Sequence, residues 1–388
     1  MTASLRDATQ AGAAAPPNLL YSQDEDDLRA SLRALLTDRC PPQRVLAQIG
    51  LDAPTDYELW QALARVLGLA GLLVPEAAGG AGATAREAAV VLEELGRSVA
   101  PVPFLTSAVI ATTALAVAAP QDELLVELAA GAASAALLLP IGTGPGSDRL
   151  PEVSGDGRTF AGQVATVADA ETADQLLVVA NAGTALYAIE GPACQVRPRP
   201  SLDSTRRLSD VLIDLPAGVD DGYQRCARLL AEGEVVRQAV ERALLVGAGL
   251  LASEQVGVAQ WCLDTTVDHV KQRYQFARPV GSFQAVKHRL ADLWLKVSQA
   301  RAAARFAADA LASGSADAEI AVAVAASFCS QVAVHAAEEC IQLHGGIGMT
   351  WEHPAHLYLK RAKSSQLALG APGRHRAVLA GLVDLPPA

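Results

Sequence analysis

Basic residues, aromatic residues and paired cysteines are all scarce in this sequence, and each shortage excludes something. Lysine and arginine total 31 against 42 acidic residues, which gives a formal net charge of −11. Nucleic-acid binding depends on clustered cations that neutralise phosphates, so no nucleic-acid partner is predicted. The six cysteines include no CxxC pair, which argues against a disulfide framework or a zinc site and favours a reducing compartment, the cytoplasm. Aromatic residues make up only 4% of the chain, so Ala, Val and Leu must form most of its core.

No targeting or membrane segment is predicted. The N-terminus lacks a basic region followed by an apolar stretch, so we expect no signal peptide. The longest uncharged run, from Ser98 to Gln121, contains Pro101, Pro103 and Pro120. We interpret this run as a helix packed in a core rather than as a transmembrane span.

The hydrophobic pattern changes twice along the chain and predicts a tail followed by three domains. Residues 1–20 have no periodicity and are expected to be a disordered tail. Residues 21–134 carry apolar residues at helical spacing, whereas residues 135–218 contain short apolar runs split by Gly, Pro and Asp, typical of a small β domain. Residues 219–388 are predicted to form a C-terminal bundle whose first helix covers Cys226–Arg273. Its further helices are predicted at 283–313, 316–343, 353–368 and 373–383. The predicted fold is therefore α+β and mostly α.

Two long segments in this C-terminal part carry the most specific signal. Lys271–Trp294 reads KQRYQFARPVGSFQAVKHRLADLW, and Cys340–Ala362 reads CIQLHGGIGMTWEHPAHLYLKRA. In sequence and in order they resemble the R-x-x-F and Q-x-x-G-G signatures of the acyl-CoA dehydrogenase flavoprotein family. The resemblance covers nearly the whole chain and is poorest in the β domain. It implies an FAD cofactor, α,β-dehydrogenation of an acyl-CoA thioester, and electron-transfer flavoprotein as the electron acceptor.

The resemblance also implies which residues contact FAD. They are Arg273, Phe276, Gln284, Gln342, Leu343, His344, Gly345 and Gly346. An arginine fork suits the oxygens of the FAD diphosphate, and glycine lets backbone N–H groups approach phosphate closely. In the family the second segment meets the FAD of a neighbouring subunit, so the cofactor is expected at a subunit interface. An alternative for the glycine pair is a helix C-cap, and His353-x-x-His356 is interpreted as a polar helix start rather than a metal site.

The expected catalytic base is missing from its usual positions. Family chemistry needs a carboxylate that removes a proton from the carbon α to the thioester. By resemblance the two positions that can carry it are Gly247 and Leu369, and neither residue accepts a proton. Two carboxylates lie nearby on the predicted long helix. Glu241 falls on the wrong side of that helix, and Glu254 shares the face of Gly247 but lies about 10.5 Å along the axis. Salt bridges or polar helix faces are the preferred interpretation of both, so no catalytic residue is assigned and Glu254 is only an outside candidate.

Loss of the base suggests a divided enzyme. The family's flavin-flanking tryptophan and threonine are also absent from the β domain, which is expected if this chain's own pocket is unused. The preferred hypothesis is the base-poor subunit of an α₂β₂-type acyl-CoA dehydrogenase, resembling those that act on steroid side chains, whose partner chain supplies the glutamate. Two alternatives stay open. One is a stand-alone flavoenzyme on the same fold with other chemistry, such as oxygenation, or with a divergent base; the other is a non-enzymatic acyl-CoA-binding scaffold.

Overall fold

The computed structural model describes residues 17–50, 55–215 and 227–385. Its N-terminal part is helical, and sequence signals set the helix starts. Ser22 and Glu25 form a capping box at the first helix, and Thr84 and Glu87 form another at the fourth, which satisfies N–H groups that have no partner within the helix. The helices are α1 (Gln23–Arg39), α2 (Pro42–Gln48), α3 (Tyr57–Gln61), α4 (Ala85–Arg97), α5 (Thr112–Ala118) and α6 (Glu123–Ala129).

The uncharged run that was interpreted as a core helix is largely helical and buried. A π-helical segment, Phe104–Ala111, leads directly into α5, and every residue in that segment is buried. Elsewhere, Glu234–Gln272 and Ala318–Met349 are long and apolar enough to cross a membrane by length and composition, yet most of each lies inside the fold. Burial by neighbouring helices accounts for the apolar character of all three.

The middle part is a β sandwich of two four-stranded sheets. The first has the order β1-β4-β5-β8 and the second the order β2-β3-β7-β6. Strand β1 is parallel to β4, and the other pairs are antiparallel. The strands are β1 (Ala135–Leu137), β2 (Val153–Gly155), β3 (Phe160–Ala168), β4 (Gln175–Ala180), β5 (Ala185–Glu190), β6 (Gln195–Arg199), β7 (Leu208–Leu215) and β8 (Ala227–Glu232). Between the sheets lies a separate apolar core, in which the Phe160 and Tyr187 rings meet edge to face at 4.7 Å.

Two predicted boundaries need correction. Residues 227–232, predicted as the start of the long helix, are instead the edge strand β8, because they find backbone partners in β5 and because Gly233, with φ 88°, separates them from the helix. Part of the predicted tail is ordered, since the carbonyls of Asn18 and Leu20 accept hydrogen bonds from Arg86. The rest of that tail prediction, residues 1–16, and the stretch 219–226 lie outside the described residues.

The C-terminal bundle follows the predicted pattern closely. Its helices are α7 (Glu234–Gln272), α8 (Gln284–Ser313), α9 (Ala318–His344), α10 (Ala355–Leu367) and α11 (Pro372–Leu382), and a short hairpin of β9 (Tyr274–Gln275) and β10 (Arg278–Pro279) joins α7 to α8. The four helices predicted after α7 agree with these bounds to within two residues.

A pair of glycines lets α7 cross α4 at very short range. A Cβ on Gly96 would lie 2.1 Å from the carbonyl oxygen of Glu254, and a Cβ on Gly257 would lie 1.9 Å from that of Glu93. No side chain fits at such distances, so glycine at both positions is a steric requirement of the crossing. The crossing fixes Glu254 deep inside the molecule, between the helical domains and the sandwich.

Candidate cofactor site and interdomain pocket

The two family-like segments meet at one end of the helical bundle. The first follows the end of α7, and the second follows the end of α9. Near these ends the imidazole rings of His269 and His344 lie 4.2 Å apart between centroids. Arg273 is one helical turn beyond His269 and donates its backbone N–H to that residue's carbonyl at 2.9 Å, while Gly345 directly follows His344. The fold therefore brings Arg273 and the glycine turn to the same end of the bundle.

Most of the predicted FAD contacts are presented on the surface there. Arg273, Phe276, Gln284, Gln342, Gly345 and Gly346 are exposed, Leu343 is half-buried and His344 is buried. The Phe276 side chain is 87% exposed. These residues fit an anionic cofactor. Arg273 forms no ion pair with any carboxylate of the described residues, and the space beside the α-carbons of both glycines is open.

The glycine turn also has the structural role considered as its alternative. Gly345 has φ 64° and donates its N–H to the carbonyl of Gln342, so it ends α9 as a C-cap. A φ in this region favours glycine over other residues. Capping and cofactor contact are compatible, because the cap fixes the backbone and leaves the outer side of the turn open.

His344 belongs to a cluster of three histidines that the sequence did not reveal. Its ring lies 4.4 Å from that of His353, in addition to the contact with His269. Nδ1 of His344 lies 2.7 Å from the Cys340 carbonyl, and Nδ1 of His353 accepts the N–H of Ala355 at 3.2 Å. Within the part of the chain that the structure describes, no group of three or more His, Cys, Asp or Glu residues has a geometry suited to a metal ion. No spacing in the sequence indicated this cluster, because its three members come from separate segments.

The surroundings move the pKa values of these histidines in different directions. Burial, with the nearby charges of His344 and Arg273, lowers the pKa of His269. Burial and the neighbouring histidines His344, His269 and His356 lower the pKa of His353 to about 4. Burial also acts to lower the pKa of His344, but contact with the thiol of Cys340 outweighs it and the net pKa is raised.

Gly247 and Leu369, the two positions that the resemblance assigns to the base, lie against each other in a different place. A Cβ on Gly247 would lie 3.2 Å from Cδ1 of Leu369 and 3.0 Å from Cγ1 of Ile110. These groups border an apolar cavity of about 30 Å³ between the helices and the sandwich. Its walls are Thr106, Ile110, Leu137, Leu139, Pro140, Ile141, Ala168, Leu244 and Leu369. A cavity of this size holds about one water molecule and no acyl chain.

A loop of the β domain closes over this cavity. The N–H of Leu369 donates to the carbonyl of Ile141 at 2.7 Å, and the Arg374 guanidinium donates to the carbonyl of Pro145 at 2.9 Å. The N–H of Gly146 donates to the Glu241 carboxylate at 2.8 Å. Glu241 therefore holds the outer end of the loop, in agreement with its interpretation as a residue outside the pocket.

Glu254 is a member of a buried ionic network. Its carboxylate pairs with Arg206 of the β domain and, at 3.3 Å, with Arg361 of α10, and it accepts a hydrogen bond from Ser365 at 3.2 Å. Arg361 also donates to Asp203 at 2.8 Å. Burial acts to raise the pKa of Glu254, but Arg206 and Arg361 outweigh it and the net pKa is lowered. A carboxylate held ionised by two guanidinium groups is a poor base, and the geometry favours the salt-bridge interpretation.

Asp169 is a carboxylate near the cavity that the sequence reasoning did not single out. It accepts a hydrogen bond from the Thr106 hydroxyl at 2.7 Å, and Thr106 lines the cavity. Asp169 is half-buried, and desolvation of its carboxyl raises its pKa. The residue does not itself border the cavity, because Thr106 and Ala168 stand in the wall.

Comparison with known proteins agrees with this architecture. Residues 22–132 match the model of the acyl-CoA dehydrogenase N-terminal domain, and residues 236–382 match that of the acyl-CoA dehydrogenase C-terminal domain. The chain belongs to the acyl-CoA dehydrogenase family, whose cofactor is FAD. The family and the fold class expected from the sequence are thereby confirmed.

Similar proteins include a curated acyl-CoA dehydrogenase, a two-protein complex and a steroid ACAD. The chain is 35% identical over 353 residues to the acyl-CoA dehydrogenase IpdE2 of Mycolicibacterium smegmatis, covering 90% of this chain and 96% of the relative. The ChsE4–ChsE5 complex of Mycobacterium tuberculosis is similar in structure, with a TM-score of 0.80, 26% identity, and coverage of 96% of this chain and 100% of that one. A variant of the Tcur3481–Tcur3483 steroid ACAD has a TM-score of 0.80 and 29% identity, covering 93% and 98% of the two chains.

Proposed function

We propose that this chain is one subunit of a heteromeric, FAD-dependent acyl-CoA dehydrogenase. It contributes FAD contacts, and a second acyl-CoA dehydrogenase chain supplies the catalytic glutamate in an α₂β₂ assembly. One contrast carries the proposal. The surface that suits the cofactor diphosphate is open, and its Arg273 has no ion pair among the described residues, whereas the cavity beside Gly247 and Leu369 is small and mostly apolar.

Each residue of the open surface makes a different contact with the cofactor. The Arg273 guanidinium meets the diphosphate as a charge-assisted fork. The side-chain amides of Gln284 and Gln342 orient polar groups of the cofactor, and the turn at Gly345 and Gly346 brings backbone N–H groups close to phosphate. When bound, FAD accepts the hydride that leaves the β-carbon of the thioester.

The closed pocket supports the view that this chain does not process its own substrate. Leu369 is 3% exposed and fills the place where a carboxylate would have to act. Gly247 has Ile110 and Leu369 in tight contact range, so a longer side chain there would displace both. Proton removal is therefore assigned to the partner chain.

Exposed apolar side chains around the open surface support a partner at this end of the bundle. Phe276 is 87%, Met349 81% and Trp351 74% exposed. Tyr274 and Ile347, in the same two segments, add to them. A group of large apolar residues beside a cofactor surface is typical of a protein–protein interface.

The finer assignments depend on the family and the relatives. The substrate is an acyl-CoA, and a bulky steroid-derived acyl group is proposed because one similar structure is a steroid ACAD. Electron-transfer flavoprotein is proposed as the acceptor and the cytoplasm as the location. The buried free thiols of Cys40, Cys262, Cys329 and Cys340 support a reducing compartment.

Co-expression tests the proposed division of labour. We expect the chain produced alone to be poor in FAD and inactive, because half of the cofactor site and the base are on another polypeptide. Produced with an acyl-CoA dehydrogenase chain encoded beside it that carries the family glutamate, it is expected to give a complex with bound FAD and dehydrogenase turnover. Flavin absorbance and acceptor reduction measure the two properties. Full turnover by the isolated chain would contradict the proposal.

Arg273→Ala is expected to weaken FAD binding by the complex about 10- to 100-fold, the value of a charge-assisted hydrogen bond. Arg273→Lys should recover part of this loss, since it keeps the charge but not the fork. The matched control is Arg289→Ala, which removes a half-exposed arginine that pairs with Glu339 at 2.7 Å and should leave FAD affinity unchanged. The dissociation constant, measured by flavin fluorescence, checks the prediction, and equal effects at both positions would refute the role of Arg273.

The position of Asp169 favours one second candidate, a stand-alone dehydrogenase with a divergent base. This reading needs the cavity to open so that the carboxylate behind Thr106 reaches substrate. It predicts turnover by the isolated chain that Asp169→Asn abolishes. Turnover that requires the partner and survives Asp169→Asn supports the two-subunit proposal instead.

A further inference from the structure

The three-histidine cluster lies beside the surface proposed for the cofactor diphosphate. Each histidine comes from a different segment, with His269 near the end of α7, His344 at the end of α9 and His353 just before α10. Arg273 follows His269 by one turn, and Gly345 follows His344. His269 and His353 are half-buried, so the cluster is continuous with the exposed arginine and glycine turn.

The hydrogen bonds of the cluster define its neutral form. His344 holds its Nδ1 proton toward the Cys340 carbonyl at 2.7 Å. His353 uses Nδ1 as an acceptor for the N–H of Ala355 at 3.2 Å, so its proton is on Nε2. The titratable and charged groups that face the cluster are Cys340, His356 and Arg273. Among these contacts with the described residues there is no carboxylate. The Cys340 thiol, whose pKa hydrogen bonding to Cys262 and His344 lowers to about 5, can carry negative charge, and it acts on His344. The shifts of His269 and His353 come from burial and from neighbouring cations.

We propose that His269 and His353 complete the binding site for the cofactor's diphosphate and take up protons when it binds. The inference rests on the proposed function, because it takes the glycine turn and Arg273 as diphosphate contacts. Diphosphate brings two negative charges beside imidazoles that are otherwise crowded by other cations. The favourable interaction with imidazolium shifts protonation toward the charged form. Neither histidine was among the cofactor contacts implied by the family resemblance.

The direction of the linkage follows from the free-state pKa values. Both are lowered without the cofactor, that of His353 to about 4, and an adjacent diphosphate raises them. At a pH between the free-state and the bound-state pKa of a histidine, the complex with FAD therefore holds more protons than the free protein. FAD binds more tightly as the pH falls through that range. If the diphosphate only returns His353 to its ordinary pKa of about 6.5, affinity increases roughly fourfold from pH 8 to pH 6. The phosphates of FAD are diesters and do not titrate in this range.

Calorimetry on the flavin-depleted complex tests the inference directly. FAD is titrated at pH 6.5 in buffers with different enthalpies of ionisation, and the slope of observed heat against buffer enthalpy gives the protons taken up. We expect about half a proton or more per FAD, together with a roughly fourfold affinity gain from pH 8 to pH 6. Zero uptake with a pH-independent affinity would overturn the inference while leaving the proposed function intact. A complex that binds no FAD at any pH would overturn both.

Matched variants assign the protons to residues. His353→Asn keeps an acceptor for the Ala355 N–H but does not titrate, and it should reduce the uptake and flatten the pH dependence of affinity. His269→Asn should have the same effect in smaller degree. The control is His335→Asn on α9, about 13.5 Å along the helix axis from His344, which should keep the full uptake. Unchanged proton uptake in both cluster variants would assign the protons to other groups and refute the inference. If a variant fails to fold, the proton uptake of the wild-type complex still tests whether FAD binding takes up protons.

Discussion

Glu254→Ala is expected to lower the free energy of unfolding by about 3 kcal/mol or more. The substitution leaves Arg206 buried without the carboxylate it pairs with, and Arg361 keeps its ion pair with Asp203 and its hydrogen bonds to Thr205. Removing one partner of a buried ion pair costs about 3–5 kcal/mol, because the remaining charge stays desolvated. Urea unfolding followed by circular dichroism measures the loss. The control is Glu241→Ala, an exposed carboxylate that accepts the Gly146 N–H, for which about 1 kcal/mol is expected.

The pH dependence of stability in Glu254 variants distinguishes a structural role of this residue from a catalytic one. The folded-state pKa of Glu254 is lowered, so the stability it provides is present above its unfolded pKa and is lost as pH falls through the folded value. The stability difference between the wild type and Glu254→Gln should therefore shrink in acid. If the Gln variant kept full stability and instead lost turnover in the complex, Glu254 would be a catalytic base after all.

The long helices were predictable from the sequence because their signals are local. The segments that became α8 to α11 carry apolar residues at helical spacing, and Gly314 and Pro372 mark boundaries. The strand β8 was not predictable, since the six-residue run ARLLAE has no decisive period and its conformation depends on pairing with β5. Tertiary pairing decided the structure there.

The candidate site also has parts that the sequence predicts and parts that it does not. The roles of Arg273 and the glycine pair were suggested by motifs, because each motif is continuous in sequence. The meeting of His269, His344 and His353 depends on how three segments end at one place, which no spacing encodes. The partners of Glu254 were equally hidden, since Arg206 comes from the β domain and Arg361 from α10. Helical geometry argued against Glu254 as a base, because it lies too far along the helix from Gly247. Its role as the buried partner of two arginines is visible only in the fold.

The ionic network and the apolar cavity together close the junction between the sandwich and the helical bundle. The network joins Arg206 of the β domain to α7 and α10, and the loop that carries Ile141 and Gly146 is bonded to Leu369 and Glu241. If this chain used a base at Gly247 or Leu369, its substrate would have to reach this junction. Here protein side chains occupy the contact, which is why restoring a carboxylate should damage the fold rather than restore chemistry.

Leu369→Glu is therefore expected to destabilise the protein strongly and to give the isolated chain no turnover. The walls of the cavity contain no cation, so the carboxyl must stay protonated at pH 7, about 2.7 units above its ordinary pKa, which costs roughly 3–4 kcal/mol. Leu369→Gln has nearly the same shape without the ionisation and is the matched control. The folded-state pKa of the new carboxyl is raised, so the stability gap between the two variants should be largest above pH 7 and fall to about 1 kcal/mol near pH 5. Urea unfolding at both pH values checks this. Equal stabilities at pH 7.5, or turnover gained by the isolated chain, would mean that the pocket opens and that this subunit retains a usable active site.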